Sequence, residues 1–378
     1  MAENINPKSL NELLRQLDAE GISGYKRFAA VRRFLNFKAR DKGVPISGTF
    51  ELTPLCNLDC KMCYVHLNRN QMGDKKLLPV ETWKNLMKDA VDAGMMYASL
   101  TGGECLTYPG FKELYLYLHS MGIIVSILSN GLLLDLNYIE FFSKHPPAIV
   151  QITLYGASDD AYEKVTGKRC FDQVWNNILR LKDTDIPLTV AITPNEFMDD
   201  GEDVIRLLHS HGIHYSINNG LVQPREETNR SIHDTSIDTY VDLVKLMSVL
   251  EGYELYPECD VDEMPSSGNN NSAIKGVRCG AGRSGFTISW DGKMKPCNNF
   301  PIVESAPLED GFFIAWHSIN EQANNFPVPA QCQGCDYENA CIQCVAAHAS
   351  HGSIGQAAPY ICEWGKSMVQ AGIYKIKK

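Results

Sequence analysis

The middle of the chain repeats one pattern of hydrophobic and polar positions. A short apolar run rich in β-branched residues ends in small or polar residues, and a longer amphipathic stretch follows, which is typical of a strand followed by a helix. The apolar runs are GTFELT (48–53), YASLT (97–101), IIVSILS (123–129), AIVQITL (148–154), LTVAIT (188–193) and IHYSIN (213–218). The pattern therefore predicts six strands.

The stretches between these strands are long enough to be helices. In LPVETWKNLMKDAVDAG (78–94), Pro79 suits a first helical turn, an apolar face runs from Val80 to Ala90, and Gly94 ends the helix. Parallel strands require crossover connections of this kind, whereas hairpins do not. The predicted fold class is therefore α/β with a parallel sheet.

The number of strands selects among parallel architectures. Six βα units are too few for a closed eight-stranded barrel, so we expect a partial (βα)6 barrel, with a doubly wound open sheet as the alternative. Both architectures place functional residues where the strands end. The segments after the strands are PLCNLDCKMC, GGEC, NG, YG, PN and NG, and we expect them to meet at one edge of the sheet.

Composition and charge exclude several classes of protein. The chain has 378 residues, of which 44% are hydrophobic, and 35 basic against 45 acidic residues give a net charge of -10. This balance argues against broad binding to nucleic acids or to anionic membranes. The N-terminus, MAENINPKSL, has no apolar signal-peptide core, and no run of 18 apolar residues occurs. We therefore expect a cytoplasmic protein.

The predicted elements divide the chain into three parts. Residues 1–46 form an N-terminal helical segment, residues 47–258 form the barrel, and residues 259–378 form a second, cysteine-rich domain. The polar stretch CDVDEMPSSGNNNSAIK (259–275) is the expected linker between the last two parts.

The cysteines are unevenly placed. Three of the thirteen lie within residues 56–63 and seven within residues 279–362, while Cys105, Cys170 and Cys259 stand apart. The chain is too long for thirteen cysteines to be a disulfide scaffold, and two clusters of thiols in a reducing compartment indicate metal or iron–sulfur ligation.

The first cluster has the spacing CxxxCxxC, formed by Cys56, Cys60 and Cys63. A structural zinc site uses four protein ligands, and a [4Fe–4S] cluster normally takes four thiolates, so three thiolates leave one iron open. With the aromatic residue that follows, here Tyr64, this motif resembles the signature of the radical S-adenosylmethionine (SAM) enzymes. The resemblance implies a [4Fe–4S] cluster whose open iron binds the methionine portion of SAM.

Three further segments extend the resemblance over residues 48–225. They are TGGE (101–104), SNG (129–131) and TLYG (153–156), each at the end of a predicted strand. Glu104 resembles a residue that meets the ammonium group of SAM. Two departures are Cys105, where the family commonly has proline, and Tyr155, where an aspartate is frequent. The implied SAM contacts are Tyr64, Gly102, Gly103, Glu104, Ser129, Asn130, Thr153 and Tyr155.

The second cysteine region resembles the SPASM extension, which binds two auxiliary [4Fe–4S] clusters; a zinc ribbon is the alternative. The resemblance implies an outer set of ligands, Cys332, Cys335, Cys341 and Cys362, and an inner set, Cys279, Cys297 and Cys344. The gap between Cys341 and Cys344 is one residue shorter than usual. The inner set also lacks a fourth cysteine. Its cluster would therefore either have an open iron or recruit another ligand such as Cys259.

The resemblance implies a maturase that uses a 5′-deoxyadenosyl radical to abstract a hydrogen from a ribosomally made peptide and installs a crosslink or an oxidation. Sulfatase-type maturation is ranked lower, because Asn298 stands where that group has a basic aspartate. Three further functions are ranked below the peptide maturase: oxidation of a small alcohol, tetrapyrrole chemistry, and zinc-stabilised binding without catalysis.

The same resemblance implies the partners. They are a precursor peptide, a separate leader-binding protein, since residues 1–46 are too short for a winged-helix domain, and an electron donor such as flavodoxin or ferredoxin. The sequence assigns no catalytic acid or base.

Overall fold

A computed structural model describes residues 7, 9–221, 223–225, 228, 236–252, 276–300, 302–338, 340–341 and 344–376. Its centre is an eight-stranded sheet with the order β6-β5-β4-β3-β2-β1-β7-β8. The strands are β1 (Ser47–Glu51), β2 (Tyr97–Thr101), β3 (Ile124–Ser129), β4 (Ile149–Leu154), β5 (Leu188–Ile192), β6 (Tyr215–Ile217), β7 (Gly285–Ile288) and β8 (Met294–Lys295).

All six predicted strands are present, and each pairs in parallel with its neighbour in the chain. Their ends differ from the prediction by no more than two residues, and the shift reaches two residues at the end of β1, at Glu51, and at the start of β6, at Tyr215. β1 to β6 lie in consecutive order, without the reversal that defines a doubly wound sheet. The α/β class and the partial (βα)6 arrangement are therefore confirmed.

Helices connect these strands and cover the sheet. They are α1 (Leu10–Ala19), α2 (Gly24–Lys42), α3 (Val80–Asp92), α4 (Phe111–Ser120), α5 (Leu136–Lys144), α6 (Asp159–Thr166), α7 (Phe171–Lys182), α8 (Gly201–Ser210), α9 (Ile237–Glu251), α10 (Pro307–Asp310), α11 (Phe312–Asn325), α12 (Val345–Ser350) and α13 (Pro359–Gln370). Within the described part of the chain, none has the length and hydrophobicity that a membrane crossing requires.

α3 shows why these sequences fold as they do. Its apolar face is buried as the periodicity predicts, and Trp83 lies edge-on to Phe50 of β1 with 6.1 Å between ring centroids. Burial of such a face supplies most of the stability of a helix of this length, because its backbone hydrogen bonds alone are marginal in water.

The strands present two different faces. β3 and β4 alternate fully and partly buried residues. In β4 the fully buried Ile152 and Leu154 belong to the main apolar core, whereas the partly buried Gln151 and Thr153 line a cavity on the opposite face. One face of the sheet therefore holds the helices and the other holds the site.

The second cysteine region contributes to the same sheet. β7 pairs in parallel with β1, with Phe286 opposite Gly48, and β8 pairs antiparallel with β7. These two strands were not predicted, because they are only four and two residues long. The sheet therefore continues past the six βα units.

Candidate functional site

A cavity of about 250 Å³ opens where the parallel strands end. Its lining comes from the loop after β1, from residues within β2, β3 and β4, and from the segments that follow β2 to β6. Seven of the eight predicted SAM contacts and all three cysteines of the CxxxCxxC motif line it. They are Cys56, Cys60, Cys63, Tyr64, Gly102, Gly103, Ser129, Asn130, Thr153 and Tyr155.

Two thiols of the motif accept hydrogen bonds from nearby N–H groups. Sγ of Cys56 accepts hydrogen bonds from the backbone N–H of Leu58 at 3.4 Å and from Nδ2 of Asn130 at 3.5 Å. Sγ of Cys63 accepts one from the N–H of His66 at 3.3 Å. Burial raises the pKa of Cys56 to about 12. A buried thiol of this kind is deprotonated when a metal binds it, and the N–H donors then stabilise the charge.

The backbone of this loop is held by its neighbours. The N–H groups of Asp59 and Lys61 donate to the last turn of α6, each at 3.0 Å. The N–H of Cys63 donates to the carbonyl of Cys60 at 3.0 Å. The three cysteines are therefore presented by a loop fixed against the barrel.

The two glycines after β2 allow the close approach of two backbones. A Cβ on Gly102, whose φ is +150°, would lie 2.4 Å from the carbonyl oxygen of Thr53. A Cβ on Gly103 would lie 2.5 Å from the carbonyl oxygen of Leu55. The N–H of Gly103 donates to Thr53 O at 2.6 Å. The glycine-rich turn is therefore packed directly against the start of the cysteine loop.

Glu104 is the one predicted SAM contact that does not line the cavity. Its carboxylate is 1% exposed and accepts hydrogen bonds from the hydroxyl of Ser129 at 3.0 Å, from the N–H of Asn130 at 2.7 Å and from the N–H of Leu106 at 3.0 Å. Burial raises the pKa of this carboxyl, and the hydrogen bonds oppose that effect. Glu104 thus joins the loops after β2 and β3. Its pairing with an ammonium group stays a prediction.

Asn130 and Tyr155 connect the predicted SAM contacts to the cysteines. Besides Cys56, Nδ2 of Asn130 contacts Oδ1 of Asn57 at 2.7 Å. Burial, and secondarily the thiols of Cys60 and Cys63, raise the pKa of the Tyr155 phenol well above its usual value. The departure at Tyr155 therefore puts a neutral phenol, in place of a carboxylate, at the cavity wall.

Three polar residues of the lining were given no role by the sequence. They are Gln151 of β4, Thr193 just after β5 and Asn218 just after β6, and Nδ2 of Asn218 donates to Oγ1 of Thr193 at 2.8 Å. The sequence indicated them only by their position in predicted strands. Thr193 and Asn218 are the last residues of the fifth and sixth predicted strands, and Gln151 lies within the fourth.

A buried polar network joins distant parts of the chain. Glu51, which is 0% exposed, accepts two hydrogen bonds of 2.7 Å from Arg225. The hydroxyl of Tyr64 donates to Glu51 at 3.4 Å, and Nδ2 of Asn298 donates to that hydroxyl at 2.9 Å. Because Tyr64 follows Cys63 and Asn298 follows Cys297, the network links the two cysteine regions.

The thiols of the second region lie in two groups. Burial, and then the nearby thiols of Cys344 and Cys279, raise the pKa of Cys297 to about 12. Burial, and then the thiols of Cys362 and Cys335, raise the pKa of Cys332. Cys279, Cys297 and Cys344 therefore lie near one another, as do Cys332, Cys335 and Cys362.

Cys341 packs against the helix that carries Cys362. A Cβ added to Gly365 of α13 would lie 3.3 Å from Cβ of Cys341. Cys259, the suggested extra ligand, lies outside the described residues, and ligation by any of these thiols stays a prediction.

The spacing of the thiols bears on the kind of metal. In the described ranges, no three His, Cys, Asp or Glu side chains are close enough to bind one metal ion together. A zinc ribbon needs four ligands around a single ion, at about 2.3 Å for each sulfur. A cluster with several irons spaces its thiolates more widely, because each thiolate binds a different iron. Whether these thiols bind zinc or iron–sulfur clusters stays a prediction.

Comparison with known families agrees with this geometry. Residues 50–208, which include the cysteine loop and β2 to β5, match the model of the Radical SAM superfamily. This chain carries a radical SAM domain. The radical SAM match ends before the second cysteine region.

Curated relatives cover parts of the chain. The sporulation killing factor maturation protein SkfB of Bacillus subtilis is 34% identical over 167 residues, which are 44% of this chain and 40% of SkfB. The antilisterial bacteriocin subtilosin biosynthesis protein AlbA of the same organism is 24% identical over 275 residues, 68% of this chain and 56% of AlbA. The chain thus spans about half the length of the curated relatives it matches.

Solved structures show the same fold over almost the whole chain. SuiB of Streptococcus suis bound to S-adenosylmethionine aligns with a TM-score of 0.66 at 17% identity, covering 94% of this chain and 86% of SuiB. SuiB bound to its precursor peptide SuiA aligns with a TM-score of 0.65 at 16% identity, covering 93% and 87%. The structural similarity includes the C-terminal cysteine-rich region. At 16–17% identity it is evidence for the fold alone.

Proposed function

We propose that this chain is a radical SAM/SPASM maturase that abstracts a hydrogen from a ribosomally made peptide and installs a crosslink or an oxidation. The observation that carries the proposal is the cavity, where the cysteine motif and seven predicted SAM contacts meet. The maturation and biosynthesis proteins SkfB and AlbA support the peptide as substrate.

In this proposal Cys56, Cys60 and Cys63 hold a [4Fe–4S] cluster. The cluster and SAM, when bound, supply the 5′-deoxyadenosyl radical that takes the hydrogen atom. The chain contributes orientation: Asn130 and the N–H of Leu58 donate to Cys56, which fixes this ligand and offsets its charge. The polar side chains of Ser129, Thr153 and Tyr155, which line the same cavity, would contact SAM.

The rest of the cavity receives the substrate. Its apolar residues, which include Met62, Leu128 and Leu221, exclude water from the reacting atoms. Gln151 and Asn218 offer amide groups that match those of a peptide backbone. A pocket of this composition suits a peptide better than a small, highly charged substrate.

We further propose that residues 1–46 are a helical segment, residues 47–258 the radical SAM barrel and residues 259–378 a SPASM domain. There, Cys332, Cys335, Cys341 and Cys362 hold the outer auxiliary cluster, and Cys279, Cys297 and Cys344 hold the inner one. The two groups of thiols support this assignment.

The proposed partners are the precursor peptide, a separate leader-binding protein and an electron donor such as flavodoxin or ferredoxin. We propose a cytoplasmic location, since the twelve described cysteines are all free thiols, as a reducing compartment favours.

Asn298 favours peptide crosslinking or oxidation over sulfatase-type maturation. Its amide donates to the hydroxyl of Tyr64, and an amide has no basic site that accepts a proton at neutral pH. The residue therefore acts as a hydrogen-bonding group in the network with Glu51, not as a base.

The test is an anaerobic incubation with SAM, dithionite and the short peptide encoded beside the gene. We expect 5′-deoxyadenosine together with a mass change in the peptide. Cys60→Ala should abolish both, while Cys170→Ala, which removes a buried cysteine outside the cavity, should retain both. Deoxyadenosine without any mass change in the peptide would contradict a peptide substrate, and its stimulation by a small alcohol would favour alcohol oxidation instead.

A further inference from the structure

A histidine outside every predicted ligand set contacts one of the predicted ligands. His348, on α12, is 3% exposed. Its Nδ1 accepts a hydrogen bond from the backbone N–H of Ala358 at 3.0 Å. Its Nε2 lies 3.7 Å from Sγ of Cys332, within range of a hydrogen bond to sulfur.

These two contacts determine where the imidazole proton lies. A backbone N–H only donates, so Nδ1 has to offer its lone pair to Ala358. The proton of the neutral ring is then on Nε2, the atom that faces Cys332. His348 is therefore a hydrogen-bond donor to this sulfur.

The other charged groups near Cys332 largely compensate each other. Arg278 and Glu338 both influence this thiol, and they form an ion pair with a distance of 2.6 Å between Nη1 and Oε1. Their opposite charges act on the sulfur in opposite directions. The N–H of His348, in contrast, points at the sulfur of Cys332, and neither charge of the Arg278–Glu338 pair offsets its effect there.

α12 places this donor rigidly. Cys344, a predicted inner ligand, caps the start of this helix, and its Sγ accepts the N–H of Ala347 at 3.4 Å. His348 follows one turn later and points to Cys332, a predicted outer ligand. One short helix therefore connects the two proposed cluster sites.

We propose that His348 raises the reduction potential of the outer auxiliary cluster by donating a hydrogen bond to Cys332. This inference rests on the proposed function, because it requires a cluster on the outer set of cysteines. Reduction adds one electron and makes the cluster more negative, and an N–H donor to a ligating sulfur stabilises the more negative state. The residue thereby sets how readily this site accepts an electron.

The experiment compares two variants, each of which preserves one of the two hydrogen bonds that the imidazole of His348 makes. In His348→Asn, the amide oxygen can replace Nδ1 as acceptor for Ala358, but no donor reaches Cys332. In His348→Gln, the amide nitrogen can replace Nε2 as donor to Cys332, but the acceptor for Ala358 is lost. Each variant loses one hydrogen bond, so a general loss of stability affects both.

The readout is an anaerobic potentiometric titration with dithionite, followed by electron paramagnetic resonance. The signal of the outer cluster is the one that Cys335→Ala removes. We expect His348→Asn to shift the one-electron reduction equilibrium about tenfold, which lowers the potential by about 59 mV. We expect His348→Gln to stay close to the original protein.

His351, which directly follows the same helix, provides a matched control. Its Nδ1 faces the carbonyl of Ala347 at 2.9 Å and its Nε2 faces Gln223 at 2.8 Å, so His351→Asn should leave the potential unchanged. Equal potentials in His348→Asn and His348→Gln, at about twelve irons per chain, would overturn the role of His348 alone. About four irons in the unaltered protein would instead overturn the auxiliary clusters themselves.

Discussion

At the scale of single residues, the site depends on positions where no other side chain fits. Gly103 brings the turn after β2 within hydrogen-bonding distance of Thr53, two residues after the end of β1. Any β-carbon there would meet backbone atoms, which do not rotate away as a flexible side chain does. The glycine therefore fixes the cysteine loop, in addition to lining the cavity.

We predict that Gly103→Ala lowers the iron content of the first cysteine site. The new Cβ would lie 2.5 Å from Leu55 O and 2.6 Å from Pro54 O, so the backbone before Cys56 has to move. Gly220→Ala is the matched control, because Gly220 also lines the cavity and an added Cβ there meets no atom within 4 Å. Iron and sulfide per chain are measured after anaerobic reconstitution. Equal loading of both variants would contradict the prediction.

At the scale of elements, periodicity predicted β1 to β6 and the buried face of α3, because each of these signals is local in sequence. It did not predict β7 and β8. β7 is defined by its pairing with β1, more than 200 residues earlier in the chain, and such a contact leaves no periodic pattern in four residues. Motif spacing brought the cysteines to one cavity, but it did not show that Glu104 faces Ser129 or that Arg225 reaches Glu51.

We predict that Phe286→Ala in β7 destabilises the whole barrel. Phe286 is 2% exposed, and its ring lies 5.9 Å from that of Phe50 in β1 and 5.3 Å from that of Phe312 in α11. Removing a buried phenylalanine costs about 3–5 kcal/mol of folding free energy. The measurement is the melting temperature, and Phe313→Ala, at a ring that is 58% exposed, should change it little.

A melting temperature that Phe286→Ala leaves unchanged would show that β7 is dispensable. The second cysteine region would then be a separate unit attached to the barrel. A clear decrease, seen in one transition, would instead mean that β7 and the barrel unfold together.

At the scale of the whole molecule, one polar network ties the cysteine loop, the end of β1, the segment after β6 and the second cysteine region together. Tyr64 and Asn298 are its contacts to the two cysteine regions, and Glu51 with Arg225 is its charged centre. The side chain of Glu51 is fully buried and that of Arg225 is 12% exposed, so solvent screens this pair little. The relative position of the two cysteine regions therefore depends on a buried ion pair.

We predict that Arg225→Gln destabilises the fold strongly, because it leaves the buried carboxylate of Glu51 without its ion-pair partner. Breaking one side of a buried pair costs about 3–5 kcal/mol. Arg225→Lys should restore only part of this, since an ammonium group lacks the planar guanidinium whose Nη2 contacts both carboxylate oxygens of Glu51. Arg206→Gln, which removes an exposed pair with Glu202 at 3.5 Å, should leave the melting temperature almost unchanged.

A double variant separates the ion pair from the rest of the network. Glu51→Gln with Arg225→Gln removes both charges, so it should melt higher than Arg225→Gln alone, since no unpaired charge remains buried. If the second substitution instead lowers the melting temperature further by the full effect of Glu51→Gln, the two residues act independently. The connection between the two cysteine regions would then rest on the contact between Asn298 and Tyr64, and Asn298→Ala would be expected to disturb iron loading in both regions.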